Sequence, residues 1–288
     1  MFENKIGYMA SLGFSGMPAA RVAAELKALG YSSVEWTSAH FNPRTKSPEE
    51  LGEAVATAAK AGLAVSEVVV QQDYVCLDDA AREDRIAYSV ETIEACRAHG
   101  VDTVNLFTGP APWDPNAPRI GNNISQGAAW DMVIDAFTRV VAALEKNKVH
   151  GAVEGVFGHL CNDYYTTRPL IDHFASDYLG VNFDPSHDVL KGNLDTGWLV
   201  RQWGKKWIKH VHLKDAVGIP EMGKFLFPFL GEGNVDWKGM FAALAEIGYE
   251  GYLSVEFESF GYHNKILKGD TVEAARRSIV EVKTLLDL

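Results

Sequence analysis

Short apolar runs of strand character alternate with longer stretches of helical periodicity along the whole chain, and this alternation constrains the fold more than any other feature of the sequence. Eight strands are expected, near residues 5–9, 33–36, 64–70, 103–107, 151–156, 180–183, 208–212 and 253–257. Amphipathic helices are expected at 19–28, 48–61, 80–99, 128–147 and 237–247, with 271–286 closing the chain; the helical signal is weakest after strands five and six. Several helix-to-strand joints carry a glycine just past the last helical residue, at Gly30, Gly62, Gly100 and Gly248, where a left-handed backbone costs little. Two joints echo each other: Leu26-Lys-Ala-Leu-Gly-Tyr31 runs into Ser33-Val-Glu-Trp36, and Leu244-Ala-Glu-Ile-Gly-Tyr249 runs into Ser254-Val-Glu-Phe257. Repeated βα modules of this kind, with short linkers and no break in composition, predict one (β/α)8 barrel over residues 1–288.

The length agrees, because a single α/β barrel commonly takes about 250 residues. With 47% apolar residues, the 288-residue chain can bury a sizeable core. A doubly wound open sheet is the alternative, and it would place a glycine fingerprint after its first strand. The segment there, Ser11-Leu-Gly-Phe-Ser-Gly-Met17, spaces its two glycines wrongly for a dinucleotide turn.

Charge and cysteine content narrow the function classes. The net charge is −11, and no run of five or six basic residues exists to meet a polyanion, which argues against nucleic acid as a partner. Cys76, Cys96 and Cys161 form an odd, widely spaced set, which suits buried inert thiols in a reducing compartment. The N-terminus lacks the basic-then-apolar pattern of a signal peptide, and no apolar stretch approaches the ~20 residues of a membrane span. A cytoplasmic protein without a membrane partner is therefore expected.

A barrel of this type builds its active site at the carboxyl ends of its strands. Four consecutive strands end in potential metal ligands: Glu154 after strand five, Asp184 after strand six, His212 on strand seven and Glu256 on strand eight. Asp184 and Glu256 follow strongly apolar strands, where an ionised carboxylate is costly unless a cation or donor meets it. Singly, each could cap a helix or pair with a lysine. Together they offer three hard oxygens and one imidazole, a set suited to one divalent ion, Mn²⁺ first, with Mg²⁺, Co²⁺ or Zn²⁺ as alternatives.

These residues carry a resemblance. Glu154, Asp184-Pro-Ser-His187, Ile208-Lys-His-Val-His-Leu-Lys-Asp215, Leu230-Gly-Glu-Gly-Asn-Val-Asp-Trp237 and Gly251-Tyr-Leu-Ser-Val-Glu-Phe257 resemble the xylose isomerase-like TIM barrel superfamily, the AP endonuclease family 2 type. That superfamily contains sugar-phosphate isomerases and epimerases, ketose 3-epimerases, inosose-processing enzymes, hydroxypyruvate isomerases and the endonuclease IV type of DNA repair enzyme. The resemblance implies that Glu154, Asp184, His212 and Glu256 bind one divalent metal, and that Glu154 and Glu256 also serve as acid and base. A ketose chelated through its carbonyl and neighbouring hydroxyl has that C–H acidified, because the metal stabilises the enediolate. Proton return to the opposite face epimerises, and return to the adjacent carbon isomerises.

The remaining candidates are read in the same frame. His187 is either a loop histidine held by backbone or, as the resemblance implies, a donor to a substrate oxygen. Lys214 and Asp215 either orient substrate or begin the loop. Trp113 either walls the pocket over an apolar sugar face or packs on a neighbouring loop. The apolar run 225–230 is expected to form a lid or the interface of a homo-oligomer. His210 is expected to face the helices, away from His212. Glu35 and Glu67, which end strands two and three, could support His212 or a substrate hydroxyl, or could lie at the surface. Gly231-Glu-Gly233 suits a tight turn before a helix capped by Asn234 or Asp236 better than a phosphate cradle.

The extra histidines that the DNA repair members need are missing, so a DNA-cleaving role is disfavoured. No basic cluster awaits a phosphate between residues 214 and 234. The expected function is a divalent-metal-dependent isomerase or epimerase of a free ketose or keto-polyol, with a small-molecule sugar or polyol as its partner. A lyase or dehydratase acting on a keto-sugar or inosose is the runner-up, and a non-catalytic sugar-binding barrel or subunit is the alternative of another class.

Overall fold

The computed structural model describes residues 2–287. Eight parallel strands close into a barrel: β1 (Ile6–Met9), β2 (Ser33–Trp36), β3 (Ala64–Val69), β4 (Thr103–Leu106), β5 (His150–Glu154), β6 (Leu179–Phe183), β7 (Ile208–Leu213) and β10 (Leu253–Val255). Neighbours in sequence are neighbours in the sheet, and β10 closes on β1 through Ile6 opposite Leu253. The (β/α)8 barrel expected from the alternation is what the chain forms. The remaining strands, β8 (Val217–Gly218) and β9 (Phe225–Leu226), make a small antiparallel hairpin in the connection after β7.

Helices start and stop where local chemistry dictates. In α2 (Pro48–Ala61), Ser47 accepts from the Glu50 amide while Glu50 reaches back to the Ser47 amide, and Pro48 presets the first turn. The helices α1 (Ala19–Leu29), α2 and α3 (Asp79–His99) all end on left-handed glycines, Gly30, Gly62 and Gly100. The same left-handed cap after α4 (Gln126–Asn147) is Lys148, and after α5 (Tyr164–Phe174) it is Ala175, so no glycine marked those joints.

The weak helical signal after strands five and six has two causes. Pro169 sits inside α5. Between β6 and β7 the helical segment is split into α6 (Pro185–Leu190) and α7 (Thr196–Trp207), with Gly192 in a left-handed conformation between them. The outer layer is completed by α8 (Trp237–Glu246), α9 (Phe260–Lys265) and α10 (Thr271–Leu286). All three cysteines are buried and free, and burial pushes the Cys161 thiol up to about 12, as expected of inert thiols.

Candidate active site

Strand β7 organises the barrel interior. His210, His212 and Lys214 lie two residues apart, so their side chains share the inner face and stack in successive layers. This corrects the expectation that His210 faces the helices, because a strand reverses face at every residue and restores it at every second one. All three are at most 2% exposed.

The layer at the carboxyl ends of the strands brings together Glu154, Asp184, His212 and Glu256, with one ligand-type atom of each within 4.8 Å of the others. Each is fixed by a different local device. Glu154 is the last residue of β5, and its Oε2 accepts from the Asn105 amide at 2.8 Å and the Asn182 amide at 3.3 Å. Asp184 caps α6: its Oδ1 accepts from the Ser186 amide at 2.8 Å, which turns Oδ2 toward the cluster. His212 presents Nδ1 at 3.1 Å from Glu256 Oε2 and 3.6 Å from Glu154 Oε2. Glu256 follows β10 directly.

Lys214 reaches into this layer rather than merely beginning the loop. Its Nζ lies 2.6 Å from Glu256 Oε2, 2.9 Å from Asp184 Oδ2, 3.1 Å from Glu258 Oε2 and 3.3 Å from His187 Nε2. The Asp184 contact is an ion pair in distance only, because Oδ2 has no hydrogen bond of good geometry. His187 sits 3.5 Å from Asp184 Oδ2 and 3.6 Å from Glu154 Oε1, so the Asp-Pro-Ser-His turn does aim it at the cluster. Asp215 points the other way. Its carboxylate gathers the amides of Ala216, Gly231, Gly233 and Val235 and the Trp237 indole N–H, and so holds the return loop. A Cβ at Gly233 would strike that carboxylate, which is why a glycine stands there. The helix that follows is capped by Asp236, not Asn234.

Charge sets two of the cavity-facing carboxylates, Glu154 and Glu256, apart. Burial opposes ionisation of Glu154, but His212, His187 and Lys214 hold its carboxyl well below the usual range. Burial dominates at Glu256, and with Glu258 and Glu154 nearby it is pushed up to about 7 despite Lys214. At His212, burial works against the charged form, yet Glu35, Glu256 and Glu154 raise its pKa well above the ordinary imidazole value. Three carboxylates, Asp184, Glu256 and Glu258, thus contact the single ammonium of Lys214, and Glu154 acts on it from farther away. Three carboxylates, an imidazole Nδ1, near-complete burial and an excess of negative charge fit a divalent cation held by Glu154, Asp184, His212 and Glu256.

A second layer lies beneath. Glu35 Oε2 is 3.2 Å from His210 Nε2, and both Glu35 oxygens are 3.1 Å from His212 Nε2. Although burial opposes it, these two imidazoles lower Glu35 to about 2. Glu35 therefore accepts a hydrogen bond from His212 Nε2–H and leaves Nδ1 turned to the upper carboxylates, the way an outer carboxylate orients a histidine ligand. Glu67, also fully buried, has no hydrogen bond to either oxygen, and burial raises its pKa well above the usual range. Neither glutamate lies at the surface.

Above the cluster opens a cavity of about 560 Å³. Glu154, His187, Lys214, Glu256 and Glu258 form its polar part, whereas Asp184 and His212 stay behind the wall. Trp113 lines it, half exposed, with its ring 5.5 Å from His159 and 6.4 Å from Phe157. Of the apolar run, Phe225, Leu226 and Phe227 line the cavity, while Phe229 is buried against Phe257 and Tyr262. Sequence reasoning missed Phe107, Phe157, Glu258 and Phe260. Glu258 had a signal, since it stands two residues beyond Glu256, whereas nothing local distinguishes the three phenylalanines from core residues.

Comparison with known proteins places these features in context. The family model described as xylose isomerase-like TIM barrel matches residues 23–280. Rhizopine catabolism protein MocC of Rhizobium meliloti is 27% identical over 149 residues, covering 46% of this chain and 44% of that protein, so the chain matches less than half the length of this curated relative. The structure of 3-keto-D-glucoside 4-epimerase YcjR from E. coli, in its apo form, superimposes with a TM-score of 0.75 at 16% identity, covering 97% of this chain and 99% of that one. The IOLI protein with a bound zinc atom superimposes with a TM-score of 0.74 at 19% identity, covering 98% and 96%. At these identities the structures establish the shared fold. Among the described residues, no helix is long and apolar enough to cross a membrane.

Proposed function

The chain belongs to the xylose isomerase-like TIM barrel family, and from that premise we propose that it is a divalent-metal-dependent isomerase or epimerase of an unphosphorylated keto-sugar or keto-polyol, working by proton transfer through an enediolate. Structural relatives that are sugar epimerases, and one that carries zinc, support this reading. The observation that carries it is the placement of Glu154 and Glu256. Of the four proposed ligands, these two reach the cavity wall.

Glu154, Asp184, His212 and Glu256 would hold a divalent cation, which would supply Lewis acidity to the keto function of the substrate, with Mn²⁺ the first choice for so oxygen-rich a set. Glu154, ionised at neutral pH, is the base for the adjacent C–H proton. Glu256, which also reaches the cavity wall, is the partner that returns a proton to the opposite face or the adjacent carbon. Lys214 and His187 line the cavity beside them and donate to substrate oxygens, where they stabilise developing negative charge. The polar end carries no arginine and a lysine already engaged by three carboxylates, which favours a neutral sugar over a phosphorylated one.

The test incubates a panel of ketoses and keto-inositols with the Mn²⁺-loaded protein in deuterated water and follows label by mass spectrometry. Uptake in the wild type, lost in both Glu154→Gln and Glu256→Gln, is the expected result. Wild-type uptake in both variants would remove the assigned roles, and an unsaturated product in place of exchange would convert the enzyme to a lyase.

A further inference from the structure

The polar groups of the cavity gather at one end, and that end accounts for only part of its wall. Glu154, His187, Lys214, Glu256 and Glu258 touch one another through the contacts at Lys214 Nζ and His187 Nε2. Of the described residues on the rest of the wall, Gln71 is the remaining one with a polar side chain. The other lining is aromatic, with Phe107, Trp113, Phe157, Phe225, Phe227 and Phe260, together with Met222 and smaller apolar groups. A cavity of about 560 Å³ falls in the range used for drug-sized ligands, more room than a single sugar ring needs.

Several rings of the aromatic wall pack on one another. From His187 the wall runs to Phe157 at 5.8 Å, then to Phe225 at 4.7 Å with the rings inclined by 61°, and to Trp113 at 6.4 Å. His159 backs Trp113 and also packs at 5.0 Å on Phe107, so the indole is supported from behind. At the mouth, Trp113, Met222 and Phe260 are 50%, 53% and 57% exposed. Three large apolar side chains exposed round one opening mark a surface that a ligand covers. A second sugar unit would find Gln71 as the one polar side chain for its hydroxyls among the described residues of this wall. A planar aromatic group would instead find inclined ring faces to pack against.

We propose that this outer wall is an aglycone subsite, and that the substrate is a keto-glycoside whose sugar ring sits at the carboxylate end while an aryl group occupies the space between Trp113, Phe157, Phe225 and Phe260. The inference rests on the proton-transfer reading for the sugar end and narrows its substrate class.

The test uses methyl and phenyl 3-keto-β-D-glucopyranoside as a matched pair with the Mn²⁺-loaded protein, reading Kd by calorimetry and solvent deuterium uptake by mass spectrometry. The phenyl glycoside is expected to bind at least about tenfold tighter, the scale of a buried aromatic group. In Trp113→Ser and Phe260→Ser the preference is expected to fall below about threefold, with unchanged unfolding midpoints confirming intact folds. Equal affinity for the two probes, or a preference that survives both substitutions, overturns the subsite. So does a concentration-dependent dimer, detected by light scattering, that shields Trp113 and Phe260 and excludes the phenyl probe. Deuterium uptake from both probes at equal affinity removes the aryl subsite and leaves the proton-transfer reading intact. Tight phenyl binding that depends on Trp113 and Phe260, without any uptake, removes the proton-transfer reading and keeps the subsite.

Discussion

Two clusters of carboxylates and histidines are buried in this barrel, one above the other, and they share His212. The upper one, Glu154, Asp184, His212 and Glu256, meets the cavity through its two outer glutamates. The lower one, Glu35, Glu67, His210 and His212, is closed over, with His210 also bonded to Ser254 Oγ at 3.0 Å. The residue types are nearly the same, so composition does not tell them apart. Access does: a charged group that a substrate can reach can exchange protons with it, whereas a sealed one can only orient its neighbours. The lower cluster is itself uneven. Glu35 is bonded by both imidazoles, while Glu67 comes no closer than 3.8 Å to either.

The sharpest way to break this division is at Glu154. Glu154→Gln keeps the side-chain shape and removes the base, so solvent deuterium uptake should fall by about 10²- to 10⁴-fold at saturating metal, the usual contribution of a positioned acid or base. A comparable fall in Glu35→Gln under the same saturating conditions would erase the proposed difference between the layers.

Glu35 should instead act through His212. With Glu35→Gln, the Nε2 partner is neutral and less able to fix the ring, so Mn²⁺ affinity measured by calorimetry should weaken by about 10- to 100-fold, as for other outer partners of histidine ligands. Unchanged affinity would mean that packing alone holds His212.

A buried carboxyl held by two N–H donors gives the baseline for both layers. Asp188, on α6, accepts only from the Tyr164 amide and the Asn193 amide, and burial pushes it up to about 7. Its folded value lies above the unfolded one of about 4, so the folded chain holds that proton more tightly. The associated stability is therefore present in full below about pH 4 and is lost as pH rises toward about 7. Urea unfolding of Asp188→Asn across this window should show a flatter pH dependence than the wild type; identical slopes would mean that Asp188 titrates normally.

The smallest effect belongs to Glu67. Because it makes no hydrogen bond, Glu67→Gln should leave Mn²⁺ affinity within about threefold, well short of the loss at Glu35. A loss as large as that of Glu35→Gln would make the lower cluster one cooperative unit.

Much of the upper layer was legible because its signals are local. Glu154, Asp184, His212 and Glu256 each stand at or next to the end of an apolar strand, and the barrel rule carries such residues to one place. Lys214 was readable as well, since it shares the period-two face of His212. The same period should have put His210 inside, and only its misapplication sent that residue toward the helices. Glu35 and Glu67 also end their strands, but nothing local separates a lower-layer glutamate from a surface one; that depends on barrel shear and on what lies above. The cavity wall was least legible. Phe107 and Phe157 follow β4 and β5, Phe225 sits on a hairpin after β7 and Phe260 opens α9, and each reads alone as core.

What the amino-acid order determined by itself is the barrel and the chemistry of its rim. Apolar periodicity, caps and strand-end residues act within a few positions of one another, and their consequences follow without knowing which strands meet. What only the tertiary structure decided is access. Which carboxylates face the cavity, which remain sealed beneath and which aromatic rings form a single wall depend on closure of β10 onto β1 and on the folding back of the β8–β9 hairpin. Those contacts join residues far apart in the chain, and exposure is a property of the assembled surface rather than of any segment.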